Sequence, residues 1–127
     1  MGLLQRFKML DLSRLLPGPY CSLLLADLGM DVLKIEDLEL GDYLRKMGPV
    51  RKEDSGYFLA INRNKRSMRL NLRIQEGKEI FYKLIESYDI VLESFRPGVM
   101  GRLGIGYQDL RKKNPRVILC SLSGYGQ

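Results

Sequence analysis

Short apolar runs, punctuated by glycine, proline and charge, recur along this chain, and their spacing alternates between strand and helix periods. Phe7-Lys-Met-Leu-Asp-Leu12 predicts a short strand. Pro17-Gly-Pro19 then opens a helix through Asp27. Proline suits the first turn because its missing N–H would have no partner there. That helix carries Leu23, Leu24, Leu25 and Leu28, and Gly29 is a good stop. Asp31-Val-Leu-Lys-Ile35 predicts a second strand, and a strand–helix–strand unit of this size is the signature of a parallel sheet.

Residues 37–56 read as a charged loop broken by Gly41, Gly48, Pro49 and Gly56. Tyr57-Phe-Leu-Ala-Ile61 is apolar and fits helix or strand. Ser67-Met-Arg-Leu-Asn-Leu72 alternates like a half-buried strand. From Glu76 to Ser87, Ile80, Phe81, Leu84, Ile85 and Tyr88 share one helical face, and Glu79 and Lys83 are spaced as an exposed i,i+4 pair. Gly77 costs this helix about 1 kcal/mol relative to alanine, less so near its start. Asp89-Ile-Val-Leu-Glu93 is a strand, followed by an Arg96-Pro-Gly98 turn and short helices at Val99–Leu103 and Tyr107–Lys113, the second ended by Asn114-Pro115. Arg116-Val-Ile-Leu-Cys-Ser-Leu122 is the last strand. About five strands alternating with helices predict an α/β fold with a Rossmann-like, largely parallel sheet. A parallel sheet needs both faces covered, and no helix pattern follows the last strand. The expectation is an incomplete domain.

Composition adds limits. The chain has 127 residues, 45% hydrophobic and 28% charged, which suits one globular unit with a real core. A net charge of +6 favours an anionic partner. The basic residues are scattered among acidic ones, so no nucleic-acid partner is expected. Cys21 and Cys120 are neither a disulfide framework nor a metal spacing, and suit a reducing, cytoplasmic setting. With no histidine, these residues cannot build Cys–His or Ser–His catalysis or a histidine-ligated metal site. The first residues carry charge too early for a signal sequence, Arg6 occupies the Ser/Thr position of a myristoylation signal, and no apolar run approaches membrane-spanning length, so no membrane partner is expected.

Ligands of open α/β sheets bind beyond the strands' C-terminal ends. Four loops are candidates. Arg14–Tyr20 is either a rigid Pro-Gly-Pro turn or a place where a phosphate or sulfur-bearing ligand meets helix N–H groups. It lacks the G-x-G-x-x-G dinucleotide fingerprint, so Glu36 at the end of the second strand is not read as a ribose-binding acid. Asn62-Arg-Asn-Lys-Arg66 is either a phosphate-neutralising loop or a solvated charge run. Ser94-Phe-Arg-Pro-Gly98, with Arg102 one turn on, offers an aromatic face and guanidiniums suited to adenine and phosphates, unless Phe95 is a core plug and the arginines are surface. Ser123-Gly-Tyr-Gly126 is a flexible glycine loop. No carboxylate pair has a diagnostic spacing, and Asp11, Asp27 and Asp31 are read as strand-end and cap residues.

Five segments in order, LSRLLPGPYCSLLLADLG (residues 12–29), VLKIE with GDYLR (32–45), NRNKRS (62–67), ESFRPGVMGRLG (93–104) and NPRVILCSLSGYGQ (114–127), resemble the family III CoA transferases, the CaiB/BaiF-like group that also contains α-methylacyl-CoA racemases. The resemblance implies an N-terminal part of a CoA-binding Rossmann-like domain. By it, Arg14, Leu15 and Pro17 contact the CoA thiol arm, Leu70 and Arg73 match adenosine-proximal positions, Ser94 and Phe95 match an Asn/Phe-type pair near the nucleotide, and Arg102 matches a phosphate-facing arginine. Asp37 stands where some members have arginine, and Ser94 where some have asparagine. The family implies an activity moving CoA between carboxylic acids through a downstream aspartate nucleophile, with a CoA thioester and a carboxylic acid as partners, coenzyme A as substrate, no tightly bound cofactor, and an interlocked homodimer. On this reading the later catalytic segment and second domain lie outside residues 1–127, which are inactive alone. Alternatives are a racemase-like enzyme and a non-catalytic module for CoA or nucleotide binding or for assembly.

Overall fold

The computed structural model describes residues 2–51 and 54–127. In order they form β1 (Lys8–Asp11), α1 (Pro17–Asp27), β2 (Asp31–Glu36), a 3-10 turn (Tyr43–Lys46), β3 (Val50–Arg51), β4 (Asp54–Ser55), α2 (Gly56–Asn62), β5 (Arg66–Arg69), α3 (Gln75–Ile85), β6 (Ile90–Glu93), α4 (Val99–Arg102), α5 (Tyr107–Lys113) and β7 (Ile118–Ser121). Five strands pair in parallel in the order β5-β2-β1-β6-β7. Counted along the sheet this is the order 3-2-1-4-5, a Rossmann half extended by two strands, and the order reverses between β1 and β6.

The central strands are apolar on both faces, which is why they read as continuous runs. Leu10, Leu33, Ile35 and Val91 pack with Phe81 and Ile85 of α3, Met100 of α4 and Leu110 of α5. On the other face Met9, Val32 and Leu92 pack against Ala26 of α1. α1 has the expected bounds because Pro17 starts it and Gly29, at φ 97°, ends it. Leu23 is buried, whereas Leu24 and Leu28 remain about half exposed. Gly18 lies so close under β1's exit that a Cβ there would stand 2.2 Å from Ser13 Cβ. On β7, the sheet edge, Ile118 is 60% exposed on the α1 side.

Several expectations are corrected. The 37–56 segment, of which Lys52 and Glu53 lie outside the described residues, holds the 3-10 turn and an antiparallel β3–β4 pair. Tyr57–Ile61 is helical, within α2, capped by Ser55 Oγ accepting from Phe58 N–H. Ile80 is exposed, off the buried stripe of α3. Glu79 accepts from Gln75, 3.2 Å away, and no Glu79–Lys83 ion pair forms among the described residues.

Candidate functional site

A cleft of about 260 Å³ opens beyond the C-terminal ends of β1, β2, β5 and β6. Its walls are Leu12 and Arg14 after β1, Ile35 to Asp37 at the end of β2, Leu70 to Arg73 after β5, Phe95 and Arg96 after β6, and Val99 and Leu103 near α4. A second depression of about 170 Å³ adjoins it, sharing Arg14, Asp37, Asn71 and Arg73 and adding Tyr43.

Arg14 is the hinge between the two. Its guanidinium carbon lies 5.2 Å from the centre of the Phe95 ring and 5.4 Å from that of Tyr43, and Nη1 donates to Tyr43 Oη at 3.1 Å. Its backbone N–H donates to Ser94 Oγ at 2.9 Å, tying the β1 exit to the β6 exit at the point where strand order reverses. Arg14, Arg73 and Arg96 give the cleft a cationic wall. Against them stands Asp37, whose carboxyl is held below its usual range by the Leu40 N–H and, against partial burial, by the Glu39 N–H and the charges of Arg14 and Arg73. It is therefore an anion at neutral pH. Glu36, also in the wall, is taken up by Arg45.

Beneath the cleft, on the α1 side of the sheet, runs a buried polar network. Asp11 accepts from Ser13 N–H at 2.9 Å and from the hydroxyls of Ser13 and Ser22. Lys65 Nζ reaches Pro19 O at 2.7 Å, Asn62 Oδ1 at 2.9 Å and Asp11 Oδ2 at 3.5 Å. Lys34 Nζ, 1% exposed, lies 2.8 Å from Ser13 O and 2.8 Å from Asp42 Oδ2. The last contact is ionic rather than a well-aligned hydrogen bond, and that oxygen has no other partner among the described residues.

Of the expected site residues, Arg14, Leu70, Arg73 and Phe95 meet in the cleft wall. Ser94 sits behind it as the acceptor of the Arg14 N–H. Leu15 and Pro17 are outside the wall, and so is Arg102, which folds back on its own turn, Nη1 within 3.1 Å of where a Cβ on Gly98 would stand. Of the two guanidiniums expected from this loop, Arg96 is the one in the wall. Tyr43 and Asn71 carried no local signal: Tyr43 matters through Arg14, 29 residues away, and Asn71 turns the chain by accepting the Arg73 N–H at 3.0 Å.

The basic Asn62–Arg66 loop keeps Arg63 and Arg66 largely exposed yet ion-paired. It precedes β5 and so lies away from the strands' C-terminal ends. Arg63 and Asn64 bind Asp27, Arg66 binds both oxygens of Asp31, and Lys65 is buried under α1. Each of its cations has a partner within the chain. Correspondingly, Asp27 and Asp31 are ion-pair partners, and Asp11 is a buried hub rather than a cap.

A cationic, aromatic cleft thus sits at the switch point of a Rossmann-like sheet. The chain belongs to CoA-transferase family III, whose model matches residues 4–127. It is 43% identical to succinyl-CoA:mesaconate CoA-transferase of Haloarcula marismortui, over 99% of this chain and 33% of that protein. With succinyl-CoA:glutarate CoA-transferase of Homo sapiens the identity is 39%, over 98% and 28%. The crystal structure of a hypothetical protein from Mycobacterium tuberculosis superposes with a TM-score of 0.91 at 37% identity, covering 99% of this chain and 35% of that one. A CaiB/BaiF family protein from Brucella suis gives 0.88 at 38% identity, covering 94% and 33%. The chain thus spans about a third of the length of the relatives it matches.

Proposed function

We propose that the protein containing this chain moves CoA between carboxylic acids, and that the cleft receives the nucleotide end of CoA. The carrying observation is the wall itself: three arginines and the Phe95 ring around one cleft at the strand ends, in a member of CoA-transferase family III. Arginine suits phosphate by bidentate donation, and an aromatic face suits adenine. At about 260 Å³ the cleft falls below the roughly 300–1,000 Å³ of pockets that bury a whole drug-sized ligand. It fits one end of CoA, with the pantetheine arm running past Arg14, Leu15 and Pro17.

On this reading residues 1–127 bind and orient, and an aspartate nucleophile outside them takes the acyl group. The carboxylates at the cleft support that division, since Glu36 is paired with Arg45 and Asp37 is engaged by two backbone N–H groups. The intact protein is proposed to be an interlocked, cytoplasmic homodimer. The exposed apolar Ile118 on the edge strand supports an assembly surface, and the two free cysteines a reducing compartment.

Calorimetry of the full-length protein with CoA and with pantetheine, which lacks the nucleotide, tests the cleft. CoA should bind and pantetheine should bind far more weakly. No heat from millimolar CoA removes the reading. Turnover of an acyl-CoA and a free acid by residues 1–127 alone would overturn the division of labour.

A further inference from the structure

The loop carrying Arg14 has an unfavourable backbone and an unusual support. Leu15 sits at φ 64°, in the left-handed region that a residue with a side chain adopts only when its surroundings over-determine it. Three bonds to distant residues do so. Ser13 O accepts from Lys34 Nζ at 2.8 Å, Arg14 N–H donates to Ser94 Oγ at 2.9 Å, and Leu15 N–H donates to Asp42 Oδ1 at 3.3 Å. Two of the three end on the same buried ion pair, Lys34–Asp42, both side chains 1% exposed.

Asp42 also sets the other side of the Arg14 contact. It caps the 3-10 turn that begins at Tyr43, its Oδ1 accepting the Leu44 N–H at 3.0 Å, while its own N–H donates to Glu36 Oε2 at 2.8 Å. One carboxylate therefore holds both the backbone next to Arg14 and the turn presenting the Tyr43 ring that Arg14 meets. Burying an ion pair is a poor route to stability compared with apolar packing of the same volume. Its use here is geometric. Resting on the reading of the cleft as a CoA site, we propose that Lys34 and Asp42 are positioning residues: they pre-set the Ser13–Leu15 backbone and thereby aim Arg14 between Tyr43 and Phe95 before ligand arrives.

The test uses the full-length protein. In the native form, hydrogen exchange resolved over Ser13–Leu16 should show Arg14 and Leu15 amides protected without ligand and little changed by CoA. Amides that exchange freely until CoA is added would mean that the ligand, not the pair, makes the loop, and would overturn the proposal. In a variant series, Lys34→Met and Asp42→Asn each strip a buried charge of its partner and should lower the melting temperature. The double variant Lys34→Met/Asp42→Leu removes both charges and should recover much of it. It still lacks the donor to Ser13 O and the acceptor for Leu15 N–H. Its KM for acyl-CoA should rise about tenfold or more with kcat within about twofold, the pattern of lost binding rather than of a damaged fold. Native melting temperature together with native KM would overturn the proposal. A double variant that does not fold leaves the exchange measurement to decide. If the native protein shows no CoA binding, the reading of the cleft fails instead, and protected Arg14 and Leu15 amides would still support a pre-set loop.

Discussion

Arg45 and Glu36 meet through two parallel hydrogen bonds, Nε to Oε2 and Nη2 to Oε1, each 2.7 Å long. Glu36 ends β2 with its side chain 1% exposed, and Arg45 also binds Asp54 and lies with its guanidinium carbon 3.7 Å from the centre of the Phe58 ring. The pair fastens the 37–56 segment to the sheet. Arg45→Ala leaves a buried carboxylate without its partner, an expected loss of about 3–5 kcal/mol in urea unfolding. Arg45→Lys keeps the charge but not the fork and should fall between. A loss for alanine under about 1 kcal/mol, the scale of an exposed pair, would show that Glu36 is solvated instead.

The same carboxyl sets an acid limit. Burial alone would raise Glu36, but hydrogen bonds from Arg45, Ser67 and the Asp42 N–H outweigh it and hold the pKa down to about 2, from an ordinary 4.5. A folded-state pKa below the unfolded one gives stability that is complete above pH 4.5 and drains away as pH falls toward 2. The melting-temperature gap between the native protein and Glu36→Gln should close over that window. A gap constant down to pH 2 counts against the pair.

Lys65 is shifted down as well, but because its environment disfavours the charged form. Burial, helped by the Lys34 charge and opposed by Asp11, pushes its pKa from 10.5 down to about 8. Between these values the unfolded chain holds the extra proton, so this group's contribution to stability rises with pH from about 8 to 10.5 and is least favourable below 8. Comparison with Lys65→Met cancels the other groups that titrate in alkali. The native protein should gain on the variant across that range, and a flat difference would show a lysine titrating as if solvated.

Gly77 inverts its propensity. Alanine in a helix is ordinarily better by about 1 kcal/mol. Here a Cβ would stand 1.8 Å from the backbone oxygen of Asn71, on the loop that forms the cleft wall. Gly77→Ala should therefore destabilise by at least the roughly 1–3 kcal/mol of overpacking. Gly101 in α4 is the control, with nothing among the described residues within 4 Å of its Cβ position. Gly101→Ala should stabilise by about 0.5–1 kcal/mol. Equal effects at the two sites would disprove the close approach.

The contrast shows where sequence reading runs out. Strands such as Ile90–Glu93 and the helix from Pro17 to Asp27 were legible because burial on both sheet faces writes a continuous apolar run, and proline and glycine mark the helix ends. The turn at Tyr43–Lys46 and the β3–β4 pair were not. Their polar residues are fixed by partners nine and eleven residues away, beyond the reach of helix or strand periodicity: Arg45 by Glu36, and Ser55 by Leu44 O. The basic loop's partners were hidden for the same reason, since Arg63 and Arg66 find Asp27 and Asp31 only once α1 and β2 are placed. In the cleft, Arg14 and Phe95 could be picked by residue type after a strand. Whether Arg96 or Arg102 faces inward depends on the left-handed Gly98, φ 81°, which local spacing does not encode.

That choice between two arginines gives the sharpest test of the cleft. Arg96 lines the wall beside Phe95, while Arg102, one turn into α4, folds over Gly98 and lies outside it. A hydrogen bond to a charged group contributes about 1.5–3 kcal/mol, so losing one phosphate contact should weaken CoA affinity by roughly ten- to over a hundredfold. In the full-length protein, calorimetry should show that loss for Arg96→Ala and little change for Arg102→Ala. The family resemblance points the other way, with Arg102 facing the phosphates. If Arg102→Ala carries the loss and Arg96→Ala does not, α4 must turn its arginine inward when ligand binds, and Arg96 has no part in holding the phosphates.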